Sequence, residues 1–207
     1  MNALETRVRE LLSGPRPLPI VRAGDPVLRR PADRYDGGLP DEVWAELLAA
    51  MRESMLAAPG VGLAAPQIGL GIAVAVVEDA AGVPAEVASV RERVPVPYRV
   101  IVNPRYEAVD PGDTATFYEG CLSVPGYQAA VTRPRRVRLR ATDEHGRAVD
   151  EEVTGWAARI VAHETDHLGG VLYLDRAETR SLAATEQYLA RWAGEPAPDR
   201  SRAALGW

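Results

Sequence analysis

Leu4, Val8, Leu11 and Leu12 fall on one side of a helix, and this spacing predicts a short amphipathic helix over residues 3–13. The run Gly14-Pro15-Arg16-Pro17 closes it. A second helix is predicted to begin near Leu39, with Pro40 at its first position and Asp41 and Glu42 where acids suit the helix dipole. Trp44, Leu47, Leu48, Met51 and Met55 form its apolar stripe. A Gly-rich loop follows from Pro59 to Gly71. Within and beyond it, Ile68, Leu70, Ile72, Val74 and Val76 alternate with Gly and Ala, and period two predicts a buried strand.

Residues 98–102 read as a strand stopped by Asn103-Pro104. Residues 137–142 alternate apolar with Arg, 144–147 form a turn, and 148–153 make the return strand of a hairpin. A helix is predicted from about Gly155 to Leu168, ended by Gly169-Gly170. Another is predicted over 177–193, followed by a tail at 194–207 that reads as mobile. No internal repeat is visible. Strands and helices do not alternate regularly, which predicts an α+β fold.

Composition narrows this picture. The chain has 207 residues, 46% hydrophobic and 26% charged, the balance of a globular protein rather than a disordered chain. Its length suits one domain with extensions. All 24 basic residues are Arg, and the net charge of -5 gives no reason to expect a DNA partner. Arg133, Arg135, Arg136, Arg138 and Arg140 crowd into eight positions; the wet face of an alternating strand explains them better than an RNA contact. The single Cys121 excludes an intramolecular disulfide and suits a reducing compartment. With no secretory pattern in the first fifteen residues, a cytoplasmic location is expected. The uncharged run Ser54 to Val77 is long enough to span a membrane, but its prolines, glycines and alternation favour a buried strand and no membrane partner.

The strongest chemical signal is His163-Glu164-Thr165-Asp166-His167. Positions i and i+4 share a helix face, so two imidazoles can reach one metal ion while Glu164 sits beside its water as general base. Trp156, Ile160, His163 and His167 fall on the predicted buried stripe, where two imidazoles need partners. A third ligand is required. The extended zinc-protease pattern fails because Tyr173 stands where its last His belongs. Downstream, Glu178 and Glu186 are conceivable but read as solvated. Upstream, Cys121 in Glu119-Gly120-Cys121-Leu122-Ser123 offers a thiolate, although a lone Cys is more often a small buried hydrophobe.

Three segments in order give the chain a family resemblance. Gly60-Val61-Gly62-Leu63-Ala64-Ala65-Pro66-Gln67, then Glu119-Gly120-Cys121-Leu122-Ser123, then His163-Glu164-Thr165-Asp166-His167-Leu168 together resemble the signature of peptide deformylases. The resemblance covers about residues 17–180, leaving 1–16 as an N-terminal helical extension and 181–207 as a C-terminal helix and tail. It implies antiparallel sheets packed around a central helix carrying the two histidines. It implies that Cys121, His163 and His167 bind one divalent metal, ferrous iron first, with zinc, nickel or cobalt as substitutes. Glu164 would move the proton, and the Gln67 amide and Leu122 N–H would meet the oxyanion. Gly62 would allow close approach of the substrate backbone, and Val61 and Ile160 would wall the methionine pocket. Glu119 and Asp166 would orient ligands or neighbouring basic groups. The implied substrates are N-formyl-methionyl peptides, with the ribosome as a possible further partner.

Three departures stand out. Ala162 replaces a frequent glutamine, Gln128 replaces a frequent arginine that helps bind substrate backbone, and the tail lacks a long basic helix. The competing readings are a metalloprotease with a downstream third ligand, an amidase for another N-formyl substrate, and an inactive metal-binding interaction protein.

Overall fold

The computed structural model describes residues 2–207. Helix α1 (Ala3–Leu12) starts at Asn2, whose side chain accepts from the Glu5 N–H. It lies on α2 (Asp41–Ala57), and its Val8 is fully buried with Leu47 and Met51 of that helix. Residues 2–16, within the segment that the sequence reads as an extension, thus contribute to the same core.

Strands β1 (Gly62–Ala64) and β2 (Val74–Asp79) follow. The strand expected from residue 68 onward is shorter than the alternation implied. Ala65–Ile68 form a 3-10 turn, Gly69 takes φ 81°, and regular pairing begins only at Val74. Ile68, Leu70 and Ile72 are buried all the same, so the alternation records burial along an irregular backbone.

After α3 (Ala85–Arg91) comes β3 (Val96–Ala108), which does not stop at Asn103-Pro104. The strand absorbs that pair as a bulge, with a register shift between Val102 and Arg105 and φ 52° at Asn103. The Asn103 side chain holds the bulge by bonding both backbone groups of Tyr35, at 2.8 and 2.9 Å. Strands β4 (Thr114–Cys121) and β5 (Val124–Pro134) pair antiparallel. The expected hairpin is present as β6 (Arg136–Thr142) and β7 (Ala148–Thr154). Helix α4 spans Gly155–Leu168, the predicted bounds.

The predicted helix over 177–193 is mostly something else. Thr179–Ser181 form a 3-10 turn, and Ala183–Ala184 make β8, which pairs with Tyr127 and Gln128 of β5. Only Thr185–Arg191 is helical, as α5. Pairing with an open strand edge wins here over local propensity. The tail read as mobile carries helix α6 (Asp199–Leu205), and the Trp207 ring sits edge-on to Tyr118 at 6.5 Å.

The strands form two antiparallel sheets, ordered β1-β2-β3-β6-β7 and β4-β5-β8. Helix α4 touches strands of both. One side of it, with Ala158, Val161 and Leu168, packs on Ile101, Val137 and Leu139 of the larger sheet. The architecture is α+β, with antiparallel sheets around the helix that carries the two histidines. Among the described residues, no helix is long and apolar enough to cross a membrane.

Candidate metal centre

The two histidines of α4 meet Cys121 at the end of β4. Ligand atoms from Cys121, His163 and His167 all lie within 4.8 Å of one another, with Cys121 Sγ 3.2 Å from His167 Nε2. The rings of His163 and His167 stand at 73° with centroids 4.9 Å apart, as two imidazoles one helical turn apart would approach a common point. Glu178, once a conceivable ligand, instead caps a 3-10 turn by accepting from the Arg180 N–H. His145 is exposed in the β6–β7 turn, away from the centre.

His163 is held by a carboxylate behind its ring, whereas His167 Nδ1 is buried with no hydrogen-bond partner. His163 Nδ1 lies 3.0 Å from Glu119 Oε2, which leaves its other ring nitrogen for the centre. Glu119 is buried, and two guanidiniums grip it: Arg133 through both nitrogens at 2.6 and 3.0 Å, and Arg159 at 2.6 Å. Burial alone would raise its pKa, but Arg133 and then the bond to His163 hold it well below the ordinary carboxylate range. Asp166 accepts from Arg133, Arg176 and Tyr106. Glu119 and Asp166 thus have the orienting contacts the sequence suggested. The three arginines were missed. Arg133, one of the five crowded arginines, is 2% exposed, while Arg136, Arg138 and Arg140, the three that the alternation puts on one side, form the wet face. For Arg133 the available signal was its place two residues after Val131, in step with the inward face of the same strand.

The remaining groups converge from the loops. The Gln67 side-chain N–H points to Cys121 Sγ at 3.5 Å and Ser123 Oγ at 3.3 Å, while its Oε1 accepts from the Ala64 N–H at 2.8 Å. Residues 21–23 strap this corner, because the Val21 N–H donates to Gln67 O and the Ala23 N–H to Ser123 O, both at 2.8 Å. Leu122 lies on the bulged turn beside Cys121, where the β4–β5 register shifts. Gly62 was expected to make room for substrate; the contact the structure shows is with Glu164. A Cβ at Gly62 would lie 2.2 Å from Glu164 Oε1. Val61 and Ile160 line the same cleft of about 580 Å3, as do Glu164 and His163.

Glu164 is 4% exposed, and its Oε2 has no hydrogen-bond partner. Burial pushes its pKa up to about 7. His167 is held well below its ordinary value, by burial first and then by His163. Burial opposes charge on His163 too, but Cys121 and Glu119 raise its pKa above the ordinary value. A thiolate, two imidazoles and an unpartnered buried carboxylate oxygen beside them fit a divalent cation with a free coordination position. This is the donor set of a metal-dependent hydrolase.

The comparisons agree with that class. Residues 17–182 match the family model for polypeptide deformylase, and the chain belongs to that family. It is 64% identical over 204 residues to peptide deformylase 3 of Streptomyces avermitilis, covering 99% of this chain and 90% of that one. A crystal structure of a peptide deformylase from Synechococcus elongatus in complex with actinonin aligns with TM-score 0.66 at 36% identity, covering 80% of this chain and 81% of that one. A Met-Ala-Ser-bound class I type b peptide deformylase from Acinetobacter baumannii aligns with TM-score 0.66 at 32% identity, covering 77% and 97%.

Proposed function

We propose that this chain removes the formyl group from N-formyl-methionyl ends of newly made polypeptides, with Cys121, His163 and His167 as metal ligands and Glu164 as the proton carrier. The observation that carries these roles is the convergence of the three ligand atoms within 4.8 Å beside a buried carboxylate oxygen with no other partner. When bound, a divalent cation supplies a Lewis acid for the formyl carbonyl and lowers the pKa of the attacking water. Glu164 accepts a proton from that water and returns it to the departing amine, so water and formamide become formate and a free amino terminus. The Gln67 amide and the Leu122 N–H donate to the oxygen that gains charge at the tetrahedral stage. Glu119 fixes the ring of His163, and Val61 and Ile160 flank the methionine side chain.

Ferrous iron is the metal this reading favours, with zinc, nickel or cobalt as substitutes, in a cytoplasmic protein. A thiolate with ferrous iron makes the enzyme oxygen-sensitive, because both are oxidisable. The ribosome enters as the place where formyl-methionyl ends emerge. Arg136, Arg138 and Arg140 give little support to an RNA contact, since each is paired with a carboxylate.

The test is deformylation of formyl-Met-Ala by protein purified without oxygen. Glu164→Ala is expected to lower kcat by a factor on the order of 10²–10⁴. In the parent, kcat/KM falls as pH drops through the Glu164 pKa, because the base must be unprotonated. Burial lifts that pKa to about 7 and a bound cation pulls it down, so the acid limb lies at or below about 7. A folded, metal-loaded parent that leaves the formyl group in place contradicts the reading.

A further inference from the structure

The cleft does not end at the metal centre. It continues past Trp156 to a wall built by Arg91, Tyr118 and Tyr188. Three guanidiniums surround the Trp156 ring: Arg91 at 5.4 Å, Arg93 at 5.2 Å and Arg159 at 5.6 Å from its centroid. Two of them are neutralised. Arg93 makes a two-pronged pair with Asp79, both bonds 2.8 Å, and Arg159 bonds Glu119 at 2.6 Å. Arg91 differs. Its hydrogen bonds go to main-chain carbonyls, Pro196 O at 3.1 Å and Glu195 O at 2.9 Å, and among the described residues none goes to a carboxylate. The Glu195 carboxylate turns instead to Arg200, at 3.4 Å. Neither acid lining the cleft bonds Arg91: Glu119 is held by Arg133, Arg159 and His163, and Glu164 sits beside Gly62 with its Oε2 unpartnered.

We propose that Arg91 gives the outer part of the cleft an uncompensated positive charge, and that the enzyme therefore favours acidic side chains in the substrate residues just after the formyl-methionine. This rests on the deformylase reading above. The protein as a whole carries net charge -5, so this preference is local to the cleft. A guanidinium braced on two rings and two carbonyls is ordered before substrate arrives, so a carboxylate meeting it gains a charge-assisted bond with little entropy to lose.

The experiment compares formyl-Met-Glu-Glu-Ala, formyl-Met-Gln-Gln-Ala and formyl-Met-Lys-Lys-Ala with the metal-loaded, full-length enzyme. At low salt kcat/KM for the Glu peptide is expected to exceed that for the Lys peptide on the order of ten-fold, through KM, with Gln between them. The ratio shrinks as ionic strength rises. In Arg91→Met the ratio falls toward one, and in Arg91→Lys it persists. If Arg91→Met fails to fold, the parent's ratio and its salt dependence decide alone. Equal kcat/KM for all three peptides, or a ratio that salt does not move, overturns this inference and leaves the deformylase reading standing. No turnover of any of them overturns both.

Discussion

Glu164 occupies space that only a glycine across the cleft leaves open. Its Oε1 fills the volume a Cβ on Gly62 would take, so Gly62→Ala must push the carboxylate or the loop aside. Because the neighbour is the proposed proton carrier, kcat should fall on the order of 10² or more, with metal content unchanged. Steady-state kinetics beside metal analysis checks this, and parental kcat in Gly62→Ala contradicts it. At this scale the grouping of His163, Glu164 and His167 was legible, because a helix fixes what i and i+4 can reach, whereas Cys121 was placed beside them only by the family resemblance. Arg133, Arg159 and Arg176 were not, because their partners Glu119 and Asp166 come from elsewhere in the fold: Arg159 and Glu119 are 40 positions apart. Gly62 was singled out for the right physical property, the missing Cβ, and for a different neighbour.

Helix α4 was legible at the scale of elements, bounds included. Its apolar stripe and the Gly169-Gly170 stop are local signals, and nothing tertiary opposes them. Residues 177–184 were not, because their conformation is set by what they meet. Ala183 and Ala184 complete the edge of β5, and Tyr188 of α5 rests on Tyr118 with ring centroids 4.9 Å apart. The long strand expected from Ile68 fails for a similar reason, since the 3-10 turn there closes around the Gln67 side chain. Removing residues 183–207 should therefore cost more than a loose tail would. It uncovers Tyr118 and strips Thr185 and Tyr188 from the cleft wall. Tm should drop by roughly 5–10 °C, with a higher KM for formyl peptides of three or more residues. An unchanged Tm and KM in the truncated chain would show that this segment contributes neither stability nor wall.

The whole molecule joins parts that sequence order separates. Cys121 reaches the histidines only because β4 ends where α4 passes between the two sheets, and α1 closes the far core through Val8. The α+β class was legible from irregular alternation, whereas α3, β4 and β5 carried no pattern strong enough to flag. Burial opposes charge on His163, but Cys121 and Glu119 raise its pKa above the ordinary value, so a proton held there must leave before the ring can ligate. Loading the centre with a divalent cation therefore releases a proton and stabilises the fold by mass action. A third ligand from Cys121 is the claim on which the mechanism rests, and one measurement reaches it directly: bound metal per chain in the parent and in Cys121→Ala, both purified without oxygen. The account predicts about one ion per parent chain and near none in the variant, which should remain folded. A variant that keeps a full complement of metal would contradict it and send the search for the third ligand back downstream of His167.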